Sequence, residues 1–233
     1  MFNKYCFAVV LIISFCSVEG NDSKNEKIKY SINLGLTNGF VNDRSGITDY
    51  AAIIVNRPSI GASFGGGIRY QFNRSLFLYS GVNLMSIESV SYNYYGTHNT
   101  NLEGFPQLPL YFAYRFDENA CKRAYFLSAG TVLSFSVHDI VWFNQYEANH
   151  YFPERTSTVY GNRGLFPLLH LGFGWTTTTK KGREIEYSFH FHRGFREIDR
   201  HVIETINPYR RSTFSFNGTI LKFQVNWYFG KEK

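Results

Sequence analysis

Four ionisable side chains near residue 190 form the most concentrated group in the chain that could do chemistry. Glu184, Glu186, His190 and His192 alternate with apolar residues, and such alternation places them on one face of a β-strand. Carboxylates and imidazoles serve as acid–base groups and as metal ligands. Residues two apart on a strand are nearly 7 Å apart, which is a poor spacing for two ligands of one ion. A structural polar network is therefore the favoured interpretation over a metal or acid–base site.

The element that carries these residues is one of eight segments with a period of two. The clearest segment is 220–229, where Leu221, Phe223, Val225, Trp227 and Phe229 share one face and Lys222 and polar residues share the other. The eight predicted strands are residues 28–37, 59–71, 76–87, 108–116, 125–137, 165–177, 184–192 and 220–229. In 76–87 both faces carry apolar residues, so the face that it buries stays open.

Connections between the predicted strands alternate strictly between short and long. The short ones lie near 73–74, at 117–123 and at 181–182, and the long ones at 38–57, 91–101, 138–164 and 196–213. Outer-membrane barrels show this asymmetry, with short periplasmic turns and long outer loops. The sequence therefore predicts an all-β fold, a closed antiparallel up-and-down transmembrane β-barrel of eight strands.

In lipid a sheet must close on itself to pair every backbone group, and this fixes which face points where. The apolar stripe of Leu221, Phe223, Val225, Trp227 and Phe229 is predicted to face lipid. The lumen of an eight-stranded barrel is filled by side chains. We expect a lumen polar network, with glycines making room for it, formed by Arg69, Arg115, Glu184, Glu186, His190, His192 and Lys222. Because a closed barrel has no edge, Pro106, Pro109 and Pro167 should lie at strand beginnings, bulges or the rim.

Residues 1–20 have the pattern of a signal peptide. Lys4 precedes the apolar run 7–15, and short residues at 18–20 suit cleavage before Asn21. The domains predicted are thus a signal peptide, 1–20, and an outer-membrane barrel, 21–233. Lipidation at Cys16 is a less favoured alternative, because Phe15 precedes it. After cleavage Cys121 is the only cysteine, so no internal disulfide and no cysteine metal site is expected.

Composition and charge limit the classes of molecule that the protein is expected to bind. The chain is 18% aromatic and 18% charged, with a net charge of +6. The basic residues are scattered without a basic run, so no nucleic acid is expected as a partner. In the predicted outer loops, Arg196, Arg200, Arg210 and Arg211 could pair with lipid phosphates or form a solvated basic face. His138, Asp139 and His150 could bind a ligand, although contact with lipopolysaccharide and water is the simpler interpretation.

The stretch 102–116 (LEGFPQLPLYFAYRF), followed by 124–130 (AYFLSAG), resembles the pattern of Bacteroidota-type outer-membrane β-barrel proteins, described as porin-like or PorT-like. The closing Trp227-Tyr228-Phe229 is similar to the aromatic end that outer-membrane assembly machinery recognises, although four further residues follow it. The resemblance implies a fold and a location in the outer membrane of a Gram-negative bacterium. It implies no single activity.

The expected function is that of a small outer-membrane barrel with a structural, surface-binding or secretion and assembly role. Its expected partners are outer-membrane lipid, lipopolysaccharide, the assembly machinery and a secretion-system or envelope protein. No nucleophile elbow or phosphate-binding loop occurs, so no enzyme activity, catalytic residue, cofactor or metal is predicted. Two alternatives remain: a soluble periplasmic lipocalin-like barrel with its apolar stripes inward, and a barrel enzyme acting on lipid or peptide. A wide pore is disfavoured because eight strands enclose little space.

Overall fold

The computed structural model describes eleven strands in one sheet. It covers residues 27–43, 59–94, 97–119, 123–136, 140–146, 155–179, 183–206 and 209–229. The predicted signal peptide, Cys121, His138, Asp139 and His150 lie outside these residues. The strands are β1 Ile28–Asp43, β2 Ser59–Gln71, β3 Leu76–Tyr94, β4 Thr97–Asn119, β5 Arg123–Ser136, β6 Ile140–Tyr146, β7 Arg155–Gly161, β8 Gly164–Thr178, β9 Glu184–Gly194, β10 Asp199–Ile206 and β11 Tyr209–Phe229.

Eight of these strands form a closed antiparallel barrel, which confirms the predicted fold class. The strand order is β1-β2-β3-β4-β5-β8-β9-β11, and β11 pairs with β1 to complete the ring. The closing ladder runs in register from Tyr30 opposite Phe229 to Gly39 opposite Ile220. We call the end at which residues 72–75 connect β2 to β3 the turn end, and the opposite end the loop end.

The loop end contains more sheet than the sequence indicated. β6, β7 and β10 lie in segments that were predicted to be loops, and they extend the sheet from β11 in the order β11-β10-β7-β6. The predicted loop 91–101 is also mostly strand, because β3 and β4 continue as a pair up to Tyr94 opposite Thr97. The long strand β11 explains the extension, since a strand that projects past the barrel offers unpaired backbone groups to neighbouring segments.

The turn between β2 and β3 shows how the short connections are fixed locally. The side-chain Oδ1 of Asn73 accepts hydrogen bonds from the backbone N–H groups of Ser75 at 2.9 Å and Leu76 at 2.8 Å. Asparagine favours tight turns because its side chain can satisfy nearby backbone donors in this way. The result is a four-residue connection that brings β3 back beside β2.

The prolines lie inside β4 and β8, which corrects the expectation that they would be confined to strand beginnings, bulges or the rim. Ladder pairs between β3 and β4 are missing from Gly81 to Val82, opposite Leu108 and Pro109, although the register is the same on both sides of the gap. Pro109 has no N–H to donate, so the ladder is interrupted there without a slip. Pro167 lies one residue past the last β8–β9 pair, where β8 is paired on one side only and proline is tolerated.

Side chains alternate between the lumen and the outside on every barrel strand. For β3, the sequence does not indicate which face is buried. In the structure the face with Phe77, Tyr79, Asn83 and Met85 is buried in the lumen. The lumen is therefore less polar than expected. At the loop end it holds an apolar cluster of Met85, Phe105, Phe166, Ile198, Phe216 and Ile220. No helix long and apolar enough to cross a membrane occurs in the described parts of the chain.

Candidate functional site: the lumen and the outer face of the barrel

An ion cluster fills the lumen near the turn end, and Glu184 is at its centre. One carboxylate oxygen of Glu184 lies 2.6 Å from Arg69 Nη2 and 2.9 Å from Lys29 Nζ, and the other lies 3.1 Å from Arg115 Nη2. Arg69 and Glu184 are both buried. Because β2 and β9 are not neighbours in the sheet, the Arg69–Glu184 bond crosses the lumen and ties two walls together.

Glu186 extends the cluster one layer further from the turn end. Its carboxylate accepts hydrogen bonds from Asn226 Nδ2 at 2.6 Å and from the Tyr228 hydroxyl at 3.0 Å. Arg69 Nη1 lies 3.6 Å from Glu186 Oε2, and the guanidinium carbon of Arg69 lies 4.0 Å from the ring centroid of Tyr228. Two carboxylates therefore receive three cations and two neutral donors, so each buried anion is compensated.

A second layer of rings crosses the middle of the lumen. Tyr111 stacks on Tyr79 with ring centroids 4.7 Å apart, and on its other side stacks on His170 at 4.2 Å. The rings of His190 and His192 follow, with centroids 4.9 Å and 5.3 Å from that of His170. Stacked rings of this kind fill a narrow interior with stiff side chains.

Two glycines allow this ring layer to form. A Cβ atom at Gly67 would collide with the hydroxyl and ring carbons of Tyr79, and one at Gly172 would collide with Oγ of Ser128 and lie 2.8 Å from Nδ1 of His190. These two glycines thus make room for a tyrosine, a serine and an imidazole, whereas the expectation is that they make room for charged side chains. Gly35 does border a charged side chain, since its Cβ would lie 3.0 Å from Cε of Lys222.

The predicted polar residues separate into two groups. Arg69, Arg115, Glu184 and Glu186 meet in the ion cluster, together with Lys29, which the sequence did not single out. His190, His192 and Lys222 lie further along the lumen. Ladder register places Lys222 directly opposite His190.

His170 was missed as a site residue. Its signal lay in the hairpin, because counting outward from the turn at 181–182 brings His170 opposite His192.

Most outward positions of the barrel carry apolar or aromatic side chains. Every barrel strand contributes at least one large exposed apolar residue: Leu34, Phe64, Leu84, Phe112, Leu127, Leu171, Phe189 and Leu221. The predicted lipid-facing residues Leu221, Trp227 and Phe229 are exposed, and Phe223 and Val225 are half-buried on the same face. Between Arg123 at the turn end and Arg193 at the loop end, the outward positions of the described barrel strands carry no charge.

The basic residues of the predicted loops are only partly described. Arg193, Arg196 and Arg163 are exposed at the loop end, and Arg200 pairs with Glu197 at 2.7 Å. Arg210 and Arg211 are the second and third residues of β11, and their side chains are not described. Within the described ranges, no group of three or more His, Cys, Asp or Glu side chains is placed to hold a metal ion.

No family model and no curated protein matches the sequence. Solved structures of similar shape include a major outer-membrane protein from Thermus thermophilus, with 11% identity, a TM-score of 0.44 and coverage of 86% of this chain and 99% of that one. OprG from Pseudomonas aeruginosa has 11% identity, a TM-score of 0.43 and coverages of 87% and 96%. AlkL in lipid bilayers has 9% identity, a TM-score of 0.38 and coverages of 93% and 97%. Such values say nothing about activity or ligands.

Proposed function

We propose that this barrel spans the outer membrane of a Gram-negative bacterium and acts there without catalysis, as a structural or surface-binding protein of the envelope. The observation that carries the proposal is the uncharged apolar belt around the outside of the barrel. Monomeric soluble proteins rarely expose contiguous apolar patches beyond a few hundred Å². Acyl chains are the environment in which such a belt is stable.

The height of the belt matches a membrane. On β8 the outward apolar positions run from Leu165 to Trp175, which are ten residues apart. At a rise of about 3.4 Å per residue this distance is about 34 Å along the strand. A strand tilt of about 40° reduces it to about 26 Å along the barrel axis, close to the roughly 25 Å apolar band of outer-membrane barrels.

Aromatic residues concentrate at the turn end of the belt and support an orientation. Tyr125, Trp175 and Tyr187 are neighbours across β5, β8 and β9, and the rings of Trp175 and Tyr187 stack with centroids 5.4 Å apart. Tyr30 and Trp227 continue the girdle on β1 and β11. Amphipathic rings prefer the membrane interface, and short turns characterise the periplasmic side. We therefore place the turn end in the periplasm.

The filled lumen argues against a diffusion pore and against an enzyme. The ion cluster, the ring layer and the apolar cluster at the loop end follow one another along the barrel interior. The imidazoles of His190 and His192 are buried, so a lipid or a peptide outside the barrel does not reach them. A lipocalin-like function would need an apolar cavity inside, where this barrel has charges.

The loop end is the surface that we propose for binding. The sheet of β6, β7, β10 and the outer half of β11 extends beyond the belt. Exposed Arg163, Arg193 and Arg196 border it, and arginine recognises phosphate groups well. Lipopolysaccharide phosphates, or a secretion-system or envelope protein, are the proposed partners. Export by a cleaved signal peptide, recognition of β11 by the assembly machinery and membership of the Bacteroidota-type PorT-like group complete the proposal.

Cell fractionation with heat-modifiable gel migration tests the membrane assignment. We expect the protein in the outer-membrane fraction, extracted only by detergent, with a folded band that changes its mobility on boiling. A soluble periplasmic protein serves as the fractionation control. Quantitative release of the protein by osmotic shock would contradict the proposal and favour the lipocalin-like alternative.

A further inference from the structure

A small cavity lies in the middle of the lumen, between the ion cluster and the apolar cluster at the loop end. His170, His190, His192, Lys222 and Gln107 are among the residues that line it. About 10 Å³ is open to the centre of a water molecule, which is roughly the space of one buried water. The cavity therefore suits a single atom or a molecule of about that size.

The cavity has one basic side chain, Lys222, whose charge when protonated is not balanced by any carboxylate among the described residues. Lys222 is the only charged residue of the described lining, which contains no Asp or Glu. Within the same residues no ion pair joins Lys222 to a carboxylate, because Glu184 and Glu186 are engaged by Arg69 and its neighbours. A third buried carboxylate, Asp199, belongs to β10 and does not line the cavity. Burying an uncompensated ammonium is strongly unfavourable.

Several hydrogen-bonding atoms around the cavity are also unsatisfied. Both side-chain polar atoms of the buried Gln107 have no partner among the described residues, and the same is true of Nδ1 of His170, His190 and His192. The opposite ring nitrogens of two histidines are in use, with Ser128 Oγ 3.0 Å from His170 Nε2 and Ser188 Oγ 2.8 Å from His190 Nε2. Buried polar groups normally have partners, so this concentration of unpaired polar atoms, which includes the Gln107 amide N–H donor, indicates a ligand.

We propose that the cavity binds a small monoatomic anion, a halide, held by the Lys222 ammonium together with N–H donors of Gln107 and the imidazoles. A protonated Lys222 with no carboxylate beside it favours an anion, and a space of about 10 Å³ is too small for phosphate, carboxylates and other polyatomic ions. A metal cation is excluded by the adjacent ammonium and, within the described residues, by side chains that do not converge as ligands. The halide acts as a structural ion that completes the polar layer, and the site is independent of what the loop end binds.

The test compares refolding and stability with and without a halide. The full-length protein is unfolded in urea and refolded into detergent micelles in sodium bromide or in sodium sulfate of equal ionic strength. The temperature at which the folded gel band disappears is then measured at increasing bromide. We expect it to rise with the logarithm of the bromide concentration, as it does for a ligand of the folded state. Wild-type protein whose transition ignores bromide would overturn the proposal.

Two variants test whether the bromide dependence arises at this cavity. Lys222→Gln should abolish the bromide dependence, whereas Lys29→Gln, which removes another lumen cation, should keep it despite a lower transition temperature. Bromide dependence that persists in Lys222→Gln would overturn the proposal.

If Lys222→Gln does not fold, Gln107→Glu decides the question, because it supplies a fixed anion next to Lys222. Gln107→Glu should fold in sulfate and no longer respond to bromide. A retained response in this variant would also overturn the proposal.

Discussion

The effect of a single substitution on the outer belt distinguishes a membrane-spanning barrel from a soluble one. Leu171 lies on the outward face of β8 with 48% of its surface exposed. It is four residues from Trp175 in the aromatic girdle, which at about 3.4 Å per residue and a tilt of about 40° places it roughly 10 Å inside the belt. Leu171→Arg thus moves a charge into the part of the belt that we assign to hydrocarbon.

The free energy of unfolding that Leu171→Arg removes depends on whether that position faces lipid or water. In a bilayer, arginine near the midplane of a barrel destabilises it by about 2–4 kcal/mol, equivalent to about 30- to 1000-fold in the folding equilibrium. In water, the same exposed substitution would stay within about 0.5 kcal/mol. Leu165→Arg on the same strand is the matched control, because it lies at the loop-end edge of the belt and should cost about 0–1 kcal/mol.

The assay is urea unfolding in phospholipid vesicles, followed by the fraction of the folded gel band and by tryptophan fluorescence. The difference between the two variants is the quantity of interest, since it removes effects common to both. Equal stabilities of Leu171→Arg and Leu165→Arg, both close to that of the wild type, would refute the lipid-facing assignment of the belt.

Three further predictions concern the lumen. Glu184→Gln should destabilise the barrel by about 3–5 kcal/mol in urea unfolding because it leaves buried cations unpaired, whereas Glu197→Gln in an exposed pair should cost less than about 1 kcal/mol; equal effects would contradict the ion cluster. Gly67→Ala should cost about 1–3 kcal/mol because its methyl group meets the Tyr79 ring, while the outward Gly66→Ala should be neutral or slightly stabilising, and the reverse order would count against the described lumen. In planar bilayers the protein should show no stable conductance steps, and steps of constant size would argue against a filled interior.

The outer face of the barrel could be predicted from the sequence because it depends only on alternation. In 220–229 the period of two alone separates Trp227 from Lys222, and a closed sheet leaves only two faces to fill. The same logic assigns Glu184 and Arg69 to the inner face, and both side chains are buried. It could not pair them, because they lie on strands that are not neighbours and the contact depends on how far the barrel is sheared.

Other features were hidden for physical reasons that differ from case to case. Phe105 and Phe216 interrupt the polar stripe, and alternation cannot show that the loop end of a lumen is apolar. β7 and β10 are short segments rich in polar residues. β10 is a strand because β11 offers it an edge, and β7 is a strand because it pairs with β10 in turn, rather than because of their own patterns. Pro109 can lie inside β4 only where the barrel lacks a ladder hydrogen bond. That position depends on the strand register, which the sequence alone does not show.

The ladder between β1 and β11 has a consequence for how the molecule is made. Tyr30 pairs with Phe229, so the first and last strands of the ring are also the first and last to leave the ribosome. Until β11 is made, every folding intermediate of the ring is an open sheet with two unpaired strand edges and an apolar outer face. The ring can therefore close only after β11 has been made, and we expect the barrel to complete its fold in one late step.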